Sequence, residues 1–409
     1  MVKRDRKETR LMTRELVKIL TTGFLIFGLL DSNGTAQETS KTDEKVESEV
    51  AILKKKSTDN APILDFFKTT KVSGYVDAYY GYNTNRPGSG IVDLRGLDTR
   101  HNSLQFDLAK ITFERSTSEI NDLGYMIDLV YGPAADSYHS FEPVPGQTGI
   151  IKNIQQAYVS YVAPVGTGLT VDVGKFGTFV GAEVLDTIDN WQYQQSILFG
   201  FAQPYYHTGV RANYAVSDEV GLGLYLVNGW NNSTDNNTGK SVGLSLSVSP
   251  NENLSITQGY LVGPELDRGD SRFRHLFDTV VSATVTDQVE LLFNYDYGFD
   301  AENMPLFKRT TWHGLAGAIR FITSDGKWAF SPRVEYFSDK DAFATGISQT
   351  LKEITLTTDY RVRPNFSTKL EYRYDWSDKP YFNESAGKLV KNQSVFLVGL
   401  VYRFGFGEE

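Results

Sequence analysis

The chain has 409 residues, no cysteine, 36 glycines, 23 tyrosines and 25 phenylalanines, and its net charge is −9. A bundle of lipid-facing helices is excluded, because mean hydropathy is −0.31 and no apolar run of about 18 residues follows position 36. The lack of cysteine excludes disulfides and thiolate metal sites, and the acidic balance makes nucleic acid an unexpected partner. The remaining class is a large, tyrosine-rich β protein.

The first 36 residues have the three-part order of a secretory signal peptide. Basic residues between Lys3 and Lys18 precede the mostly apolar run Ile19–Leu30, which is too short to span a bilayer as a helix. Gly34 and Ala36 then supply small residues before a cleavage site. We predict a signal peptide over residues 1–36 with cleavage near Ala36; the alternative is an amphipathic N-terminal helix of a cytosolic protein.

Residues 37–65 are polar and rich in charge, which favours a flexible leader on the periplasmic side of the membrane. From position 66 the side chains alternate with a period of two. In Phe366–Trp376, Leu370 and Tyr372 share one face, while Lys369 and Arg373 share the other. A soluble sandwich and a membrane barrel both show this alternation, so strand length and connections must separate them.

The pattern predicts sixteen strands, several longer than the usual soluble strand of about five or six residues. The predicted strands are 71–83, 102–115, 122–132, 152–163, 168–176, 206–215, 220–229, 241–249, 254–263, 273–284, 288–297, 310–322, 327–337, 349–361, 365–376 and 391–404. Short turns alternate with long loops, as an even-stranded barrel with both ends on the periplasmic side requires. We therefore predict an all-β fold: a transmembrane antiparallel β-barrel of 16 strands over residues 66–409.

Four segments of the chain resemble the OmpL-like β-barrel porin family. They are Val173–Gly177, Gly181–Glu183, Phe199–Val210 and Val227–Trp230, and the resemblance extends over residues 71–404. The resemblance implies a 16-stranded channel in the outer membrane of a Gram-negative-type bacterium. It also implies contact with outer-membrane lipid. Sixteen-stranded porins are often trimers, but the sequence leaves open whether this chain forms a homotrimer or a monomer.

The longest predicted connection, 178–205, follows the fifth strand, where general porins have a loop that folds inward and narrows the pore. Its carboxylates Glu183, Asp186 and Asp189 therefore predict an acidic constriction. The alternative is an external loop packed on its neighbours.

In the second half of the barrel, a group of cations alternates with the apolar residues, and this parity predicts that their side chains point into the lumen. They are Arg320, Arg333, Arg361, Lys369, Arg373 and Arg403. Facing an acidic loop, such a basic wall would set up a transverse field across a narrow aqueous path. The alternative is that acidic wall residues neutralise these cations as salt bridges; the candidates are Glu335, Glu353, Glu371 and Asp375.

The last strand carries Gly399, Tyr402 and Phe404, which resemble the C-terminal signal by which the barrel-assembly machinery recognises outer-membrane barrels. The five-residue extension Gly405–Glu409 departs from that signal, and an ordinary closing strand would show the same alternation. No catalytic constellation appears: the five histidines are scattered without zinc-ligand spacing. A rim pair of His139 with an aspartate is the one enzymatic alternative.

These features together predict a water-filled channel for passive diffusion of ions and small hydrophilic solutes. Such a channel needs no cofactor, metal or energy source, because flux follows the gradient. The alternative function is an outer-membrane adhesin or receptor that acts through its long extracellular loops.

Overall fold

The computed structural model describes residues 69–140, 142, 148–300 and 309–406. The predicted signal peptide (1–36) and leader (37–65) lie outside the described residues. The strands are β1 (Lys71–Asn83), β2 (Ser103–Arg115), β3 (Leu123–Tyr131), β4 (Ile154–Ala163), β5 (Leu169–Gly177), β6 (Tyr206–Ala215), β7 (Val220–Val227), β8 (Ser241–Asn251), β9 (Leu254–Leu266), β10 (Gly269–Thr286), β11 (Val289–Asp300), β12 (Thr310–Ile322), β13 (Trp328–Asp339), β14 (Gln349–Arg363), β15 (Phe366–Ser377), β16 (Phe382–Asn383), β17 (Leu389–Val390) and β18 (Asn392–Phe406). Short helices α1 (Pro133–Tyr138), α2 (Thr148–Ile151) and α3 (Ile197–Phe201) and the 3₁₀ turn Ser385–Gly387 occupy loops.

The long strands form one closed antiparallel sheet. Each of β1–β15 pairs with its neighbours along the chain, and β18 pairs with both β15 and β1, so the barrel has no open edge. The short strands β16 and β17 form a separate hairpin inside the last loop. Within the described residues the barrel therefore contains sixteen strands, and the predicted count and topology are confirmed.

The prediction of a long loop over residues 264–272 is wrong. β9 continues to Leu266 and β10 begins at Gly269, so only two residues connect them, and Arg268 takes the positive φ of 57° that such a tight turn needs. The extended hairpin is supported by loop 228–240, because the Asn237 side chain donates a hydrogen bond to the Pro264 carbonyl (3.0 Å). The charged residues of this segment indicated a loop, but hydrogen bonds from loop 228–240 hold the segment in the strand conformation.

The two faces of the sheet have opposite chemistry. On β15 the outward Leu370 is 51% exposed, while the inward Lys369 and Arg373 are buried. Apolar side chains thus cover the outer surface and polar side chains fill the interior, the reverse of a soluble protein and the pattern of a membrane barrel. Among the described residues, no helix combines the length and apolar character needed to cross a membrane.

Neighbouring residues of β8 test this orientation. Leu246 is exposed on the outer face, and Ser247 points into the lumen, where its Oγ lies 3.3 Å from Thr257 Oγ1. We expect Leu246→Arg to reduce the folded fraction strongly, because an arginine facing lipid near the midplane costs about 2–4 kcal/mol, and Ser247→Arg to fold. The measurement is the heat-modifiable band after refolding into vesicles. A larger loss for Ser247→Arg would reverse the two faces.

Candidate functional site

The connection between β5 and β6, residues 178–205, folds into the barrel, and we call it the lumen loop. Its two ends are joined by a hydrogen bond from the Thr178 amide to the Tyr205 carbonyl (3.0 Å). The ring of Tyr193 lies against the inner wall at Gly399, where a Cβ would overlap it. The predicted inward-folded loop is confirmed, and Gly399, chosen from the sequence as part of an insertion signal, also makes room for this loop.

Wall carboxylates hold the backbone of the lumen loop. Glu371 accepts hydrogen bonds from the amides of Tyr193 (2.9 Å) and Gln194 (3.1 Å), and Glu335 accepts one from the amide of Ile197 (2.8 Å). Buried backbone amides require partners, and a charged acceptor makes these bonds stronger than neutral ones. The loop is therefore fixed to β13 and β15 along the middle of its length.

Wall cations hold the carbonyls of the same loop. Lys369 Nζ donates to the carbonyls of Thr187 (3.1 Å) and Asn190, and Arg373 Nη1 donates to the carbonyl of Gln195 (2.7 Å). These two members of the predicted basic wall thus bind the loop backbone directly, and both are buried.

A buried ion-pair cluster connects the loop to β13, β14 and β15. Arg333 lies 2.6 Å from a Glu183 oxygen, 3.1 Å from Glu335 and 3.0 Å from Glu353. Arg373 continues the cluster, 3.4 Å from Glu353 and 2.7 Å from Asp375. Glu183 therefore contacts the basic wall directly instead of facing it across water.

The other predicted acidic residues have different surroundings. Asp186 is buried and accepts hydrogen bonds from Lys110 Nζ (2.9 Å) and Gln155 Nε2 (3.0 Å). Asp189 is exposed and lines a cavity of about 210 Å³ on the periplasmic side together with Arg403. Asp186 also borders this cavity, and Glu183 borders a smaller one, but Asp189 is the only one of the three carboxylates that is exposed.

The remaining cations of the predicted wall lie near the periplasmic end. Arg320 is 3.6 Å from Glu290 on β11. Arg361 and Arg403 are exposed and line a cavity of about 290 Å³, which Lys327 and Arg363 also border. Sequence parity had not selected these last two, because Lys327 lies in a turn and Arg363 at a strand end.

A third cavity lies between the two ends of the barrel. It holds about 20 Å³ and is lined by the lumen loop, by Asn294 and Arg333, and by Ala316 and Ala318 in the middle of β12. A single water needs about 10–15 Å³ of such volume. A larger cavity of about 270 Å³ opens on the extracellular side. Of these cavities, the one beside the Glu183–Arg333 pair is the smallest, and larger ones lie towards both ends of the barrel.

Sequence reasoning also missed Arg95 and Lys110, which bind carboxylates inside the barrel. Arg95, in the loop after β1, reaches the cluster and lies 3.0 Å from Asp375. Lys110 on β2 binds both Asp186 and Asp128 (3.0 Å). Lys110 has the alternation of an inward residue and could have been found by parity, whereas a loop arginine such as Arg95 carries no periodic signal.

The rim pair considered for His139 does not form. Its Nδ1 bonds the Ala135 carbonyl (2.9 Å) and its Nε2 bonds Lys175 Nζ (2.8 Å), so both ring nitrogens are used. Burial and the neighbouring ammonium group lower the pKa of His139 to about 4. In the part of the chain that is described, no group of three or more His, Asp or Glu side chains is placed to hold a metal ion.

A closed barrel of sixteen strands, apolar outside and narrowed by an inward loop, defines the porin class of outer-membrane proteins. The family described as "Putative beta-barrel porin-2, OmpL-like" matches residues 69–404. The chain therefore belongs to this family, as the resemblance predicted, and is an outer-membrane porin.

Several solved structures share the fold at low identity. The anion-selective porin from Comamonas acidovorans is 12% identical with a TM-score of 0.54, and the match covers 82% of this chain and 99% of that one. The outer membrane channel DcaP of Acinetobacter baumannii is 12% identical, with a TM-score of 0.54 and coverage of 82% and 97%. The trimer form of OmpT from Vibrio cholerae is 13% identical, with a TM-score of 0.54 and coverage of 82% and 99%. No curated protein sequence matches the chain.

Proposed function

We propose that ions and small hydrophilic solutes cross this porin by a path that narrows beside the Glu183–Arg333 pair, with no catalytic step and no cofactor. The observation that carries this proposal is the order and size of the cavities inside the barrel. About 20 Å³ beside Ala316 and Ala318 separates about 270 Å³ on the extracellular side from about 290 Å³ on the periplasmic side. The small side chains of β12 leave this space between the wall and the lumen loop.

Planar-bilayer recording of the purified, refolded protein tests the path. We expect stepwise insertion events with a single-channel conductance below that of a wide, unobstructed pore. Heat-modifiable mobility on a gel controls for folding. A folded protein without conductance steps would contradict the channel and favour the adhesin or receptor alternative, in which the extracellular loops act.

We propose further that the predicted transverse field lies on the periplasmic side of the constriction. Asp189 of the lumen loop and Arg403 of β18 line the same cavity there, and Arg361 borders the adjoining one with Arg403. Glu183, Asp186, Arg333, Lys369 and Arg373 would then act as the fixed wall that positions the loop. Exposed charge lining a narrow path selects ions more effectively than charge already paired in the wall.

The double substitution Arg361→Gln and Arg403→Gln tests this selectivity. We expect the reversal potential in a salt gradient to shift in the direction of greater cation selectivity, because exposed positive charge is removed from the periplasmic cavities. The matched control is Lys379→Gln with Lys391→Gln, which removes two exposed charges from the loop after β15. Equal shifts in both double variants would assign the effect to general surface charge.

The proposed porin function also requires export across the inner membrane and assembly in the outer membrane. We propose cleavage of the signal peptide near Ala36, recognition of the end of β18 by the barrel-assembly machinery, and a homotrimer in the outer membrane. Tyr402 lies exposed on the outer face, which suits recognition from outside the barrel, and the trimer form of a similarly folded protein supports the assembly state. The intact mass of the mature protein and the native mass of its detergent complex test these points.

A further inference from the structure

The cavity of about 290 Å³ at the periplasmic end of the barrel, which we call the basic cavity, is rich in positive charge. Its cations are Arg320, Lys327, Arg361, Arg363 and Arg403. We propose that the basic cavity is a binding site for a small solute that carries two or more anionic oxygen groups, either carboxylates or phosphates. This inference rests on the proposed channel function and deepens it, because it names the class of solute that the path holds at its periplasmic end.

Neighbouring strands and turns bring these cations together. The Arg361 amide donates a hydrogen bond to the Lys327 carbonyl (2.8 Å). The Arg403 amide donates one to the carbonyl of Asn365 (2.8 Å), which lies two residues after Arg363. Backbones joined in this way are about 5 Å apart, and like charges at such positions repel one another. An anion placed between the side chains offsets that repulsion.

Four of the five cations have side chains that are free to meet a ligand. Arg320 lies 3.6 Å from Glu290. The other four are exposed, border the basic cavity, and form no ion pair with a carboxylate in the described part of the chain. A solute can therefore reach them without displacing an existing partner.

The arginines of this group point into the barrel. Val362 and Tyr402, which directly follow Arg361 and precede Arg403, are exposed on the outer face. Because successive side chains of a strand point to opposite faces, Arg361 and Arg403 face the lumen. The anion that they meet is a soluble one and not the headgroup of a surrounding lipid.

The chemistry of the basic cavity favours a multivalent oxyanion. Asp359 is the only acidic side chain among the described residues that line it. With Arg320 neutralised by Glu290, four cations and one carboxylate leave a formal excess of three positive charges. Guanidinium groups bind carboxylates and phosphates through paired hydrogen bonds, and each further negative group on the ligand adds its own attraction. The volume, near the lower limit of about 300 Å³ for small-molecule sites, suits a compact ligand.

The test uses the full-length refolded protein in detergent, with pyrophosphate and citrate as multivalent probes and gluconate as the monovalent anion. Titration calorimetry measures binding, and block of the ion current in planar bilayers is the second readout. We expect saturable binding of at least one multivalent probe, with a half-saturating concentration at least about tenfold below that of gluconate. A difference between pyrophosphate and citrate would assign the site to phosphates or to carboxylates.

The double substitution Lys327→Gln and Arg363→Gln tests the residues of the site. We expect it to raise the half-saturating concentration at least about tenfold, because half of the free positive charge is lost. It leaves Asp189, Arg361 and Arg403 in place, so it probes the site separately from the proposed transverse field. The matched control is Lys379→Gln with Lys391→Gln, which removes two exposed charges from the loop after β15 and should bind like the original protein.

The outcomes separate failure of the site from failure of the channel. Absence of saturable binding of both multivalent probes, or equally tight binding of gluconate, would overturn the anion site without use of any variant. Equal binding by the original protein and the folded Lys327→Gln, Arg363→Gln variant, or an equal loss in the control variant, would also overturn it. Conductance steps without binding would leave the channel and remove the site, whereas binding without conductance would overturn the channel and leave the site.

Discussion

Replacing Arg333 by alanine should destabilise the assembled barrel by about 3–5 kcal/mol, because removal of one partner from a buried ion pair leaves the other charge uncompensated. Arg333 contacts three carboxylates, those of Glu183, Glu335 and Glu353. Without the guanidinium these groups repel one another in a space that water barely reaches. The lumen loop should therefore detach locally from β13, and the single-channel conductance should rise with larger fluctuations.

The measurement combines denaturant unfolding of the refolded barrel with single-channel recording. Arg115→Ala is the matched control, since Arg115 is exposed at the end of β2 and surface substitutions usually change stability by within about 0.5 kcal/mol. Adding Glu353→Gln to Arg333→Ala should recover part of the lost stability by removing one of the stranded charges. Unchanged stability and unchanged conductance in Arg333→Ala would show that this cluster does not hold the loop.

The barrel could be predicted from sequence because each strand is constrained by two solvents. Lipid selects Leu370 and Tyr372 on one face of β15, while Lys369, Arg373 and their neighbours on the other face must find polar partners. The period of two therefore survives in every strand separately, and no long-range information is needed to read it. Closure of β18 on β1 then follows from an even count and from the absence of any tolerable open edge in lipid.

The hairpin of β9 and β10 beyond Pro264 could not be predicted from the local alternation of side chains. Segment 264–272 contains charged residues that read as a loop, but Asn237 binds the Pro264 carbonyl and Asp270 accepts hydrogen bonds from the amides of Thr238 (3.0 Å) and Gly239 (2.9 Å). The strands extend because another loop covers their ends. Such support comes from residues roughly thirty positions away and leaves no periodic trace in the segment itself.

The interior of the site was only partly predictable for the same reason. Parity placed Arg333, Lys369 and Arg373 inside, and the structure finds them there. Parity does not say whether an inward charge meets water or a folded loop, and this depends on contacts such as Arg95 with Asp375, which are 280 positions apart. The cations therefore differ with their depth in the barrel. Those at mid-depth pair with carboxylates or with carbonyls of the lumen loop, whereas Arg361 and Arg403 at the periplasmic end are exposed.

Replacing Ala318 by tryptophan should reduce the single-channel conductance by roughly tenfold or more, because a large ring at a narrow point excludes the hydrated path. Ala318 is buried on the inner face of β12 and lines the cavity of about 20 Å³ beside Arg333. The barrel should still assemble, since overfilling a packed space costs about 1–3 kcal/mol and the sheet itself is unchanged. Single-channel recording and heat-modifiable mobility measure the two effects.

Gly317→Trp is the matched control, because it puts the same ring at the next position of the same strand but on the opposite face. No atom lies within 4 Å of a Cβ built at Gly317, so the ring would extend outwards without meeting the wall. We expect this variant to conduct like the original protein. Equal conductance in Ala318→Trp and Gly317→Trp would mean that solutes pass elsewhere in the lumen. A selective block by Ala318→Trp would instead locate the path between β12 and the lumen loop, where the small side chains of this strand leave a cavity beside the Glu183–Arg333 pair.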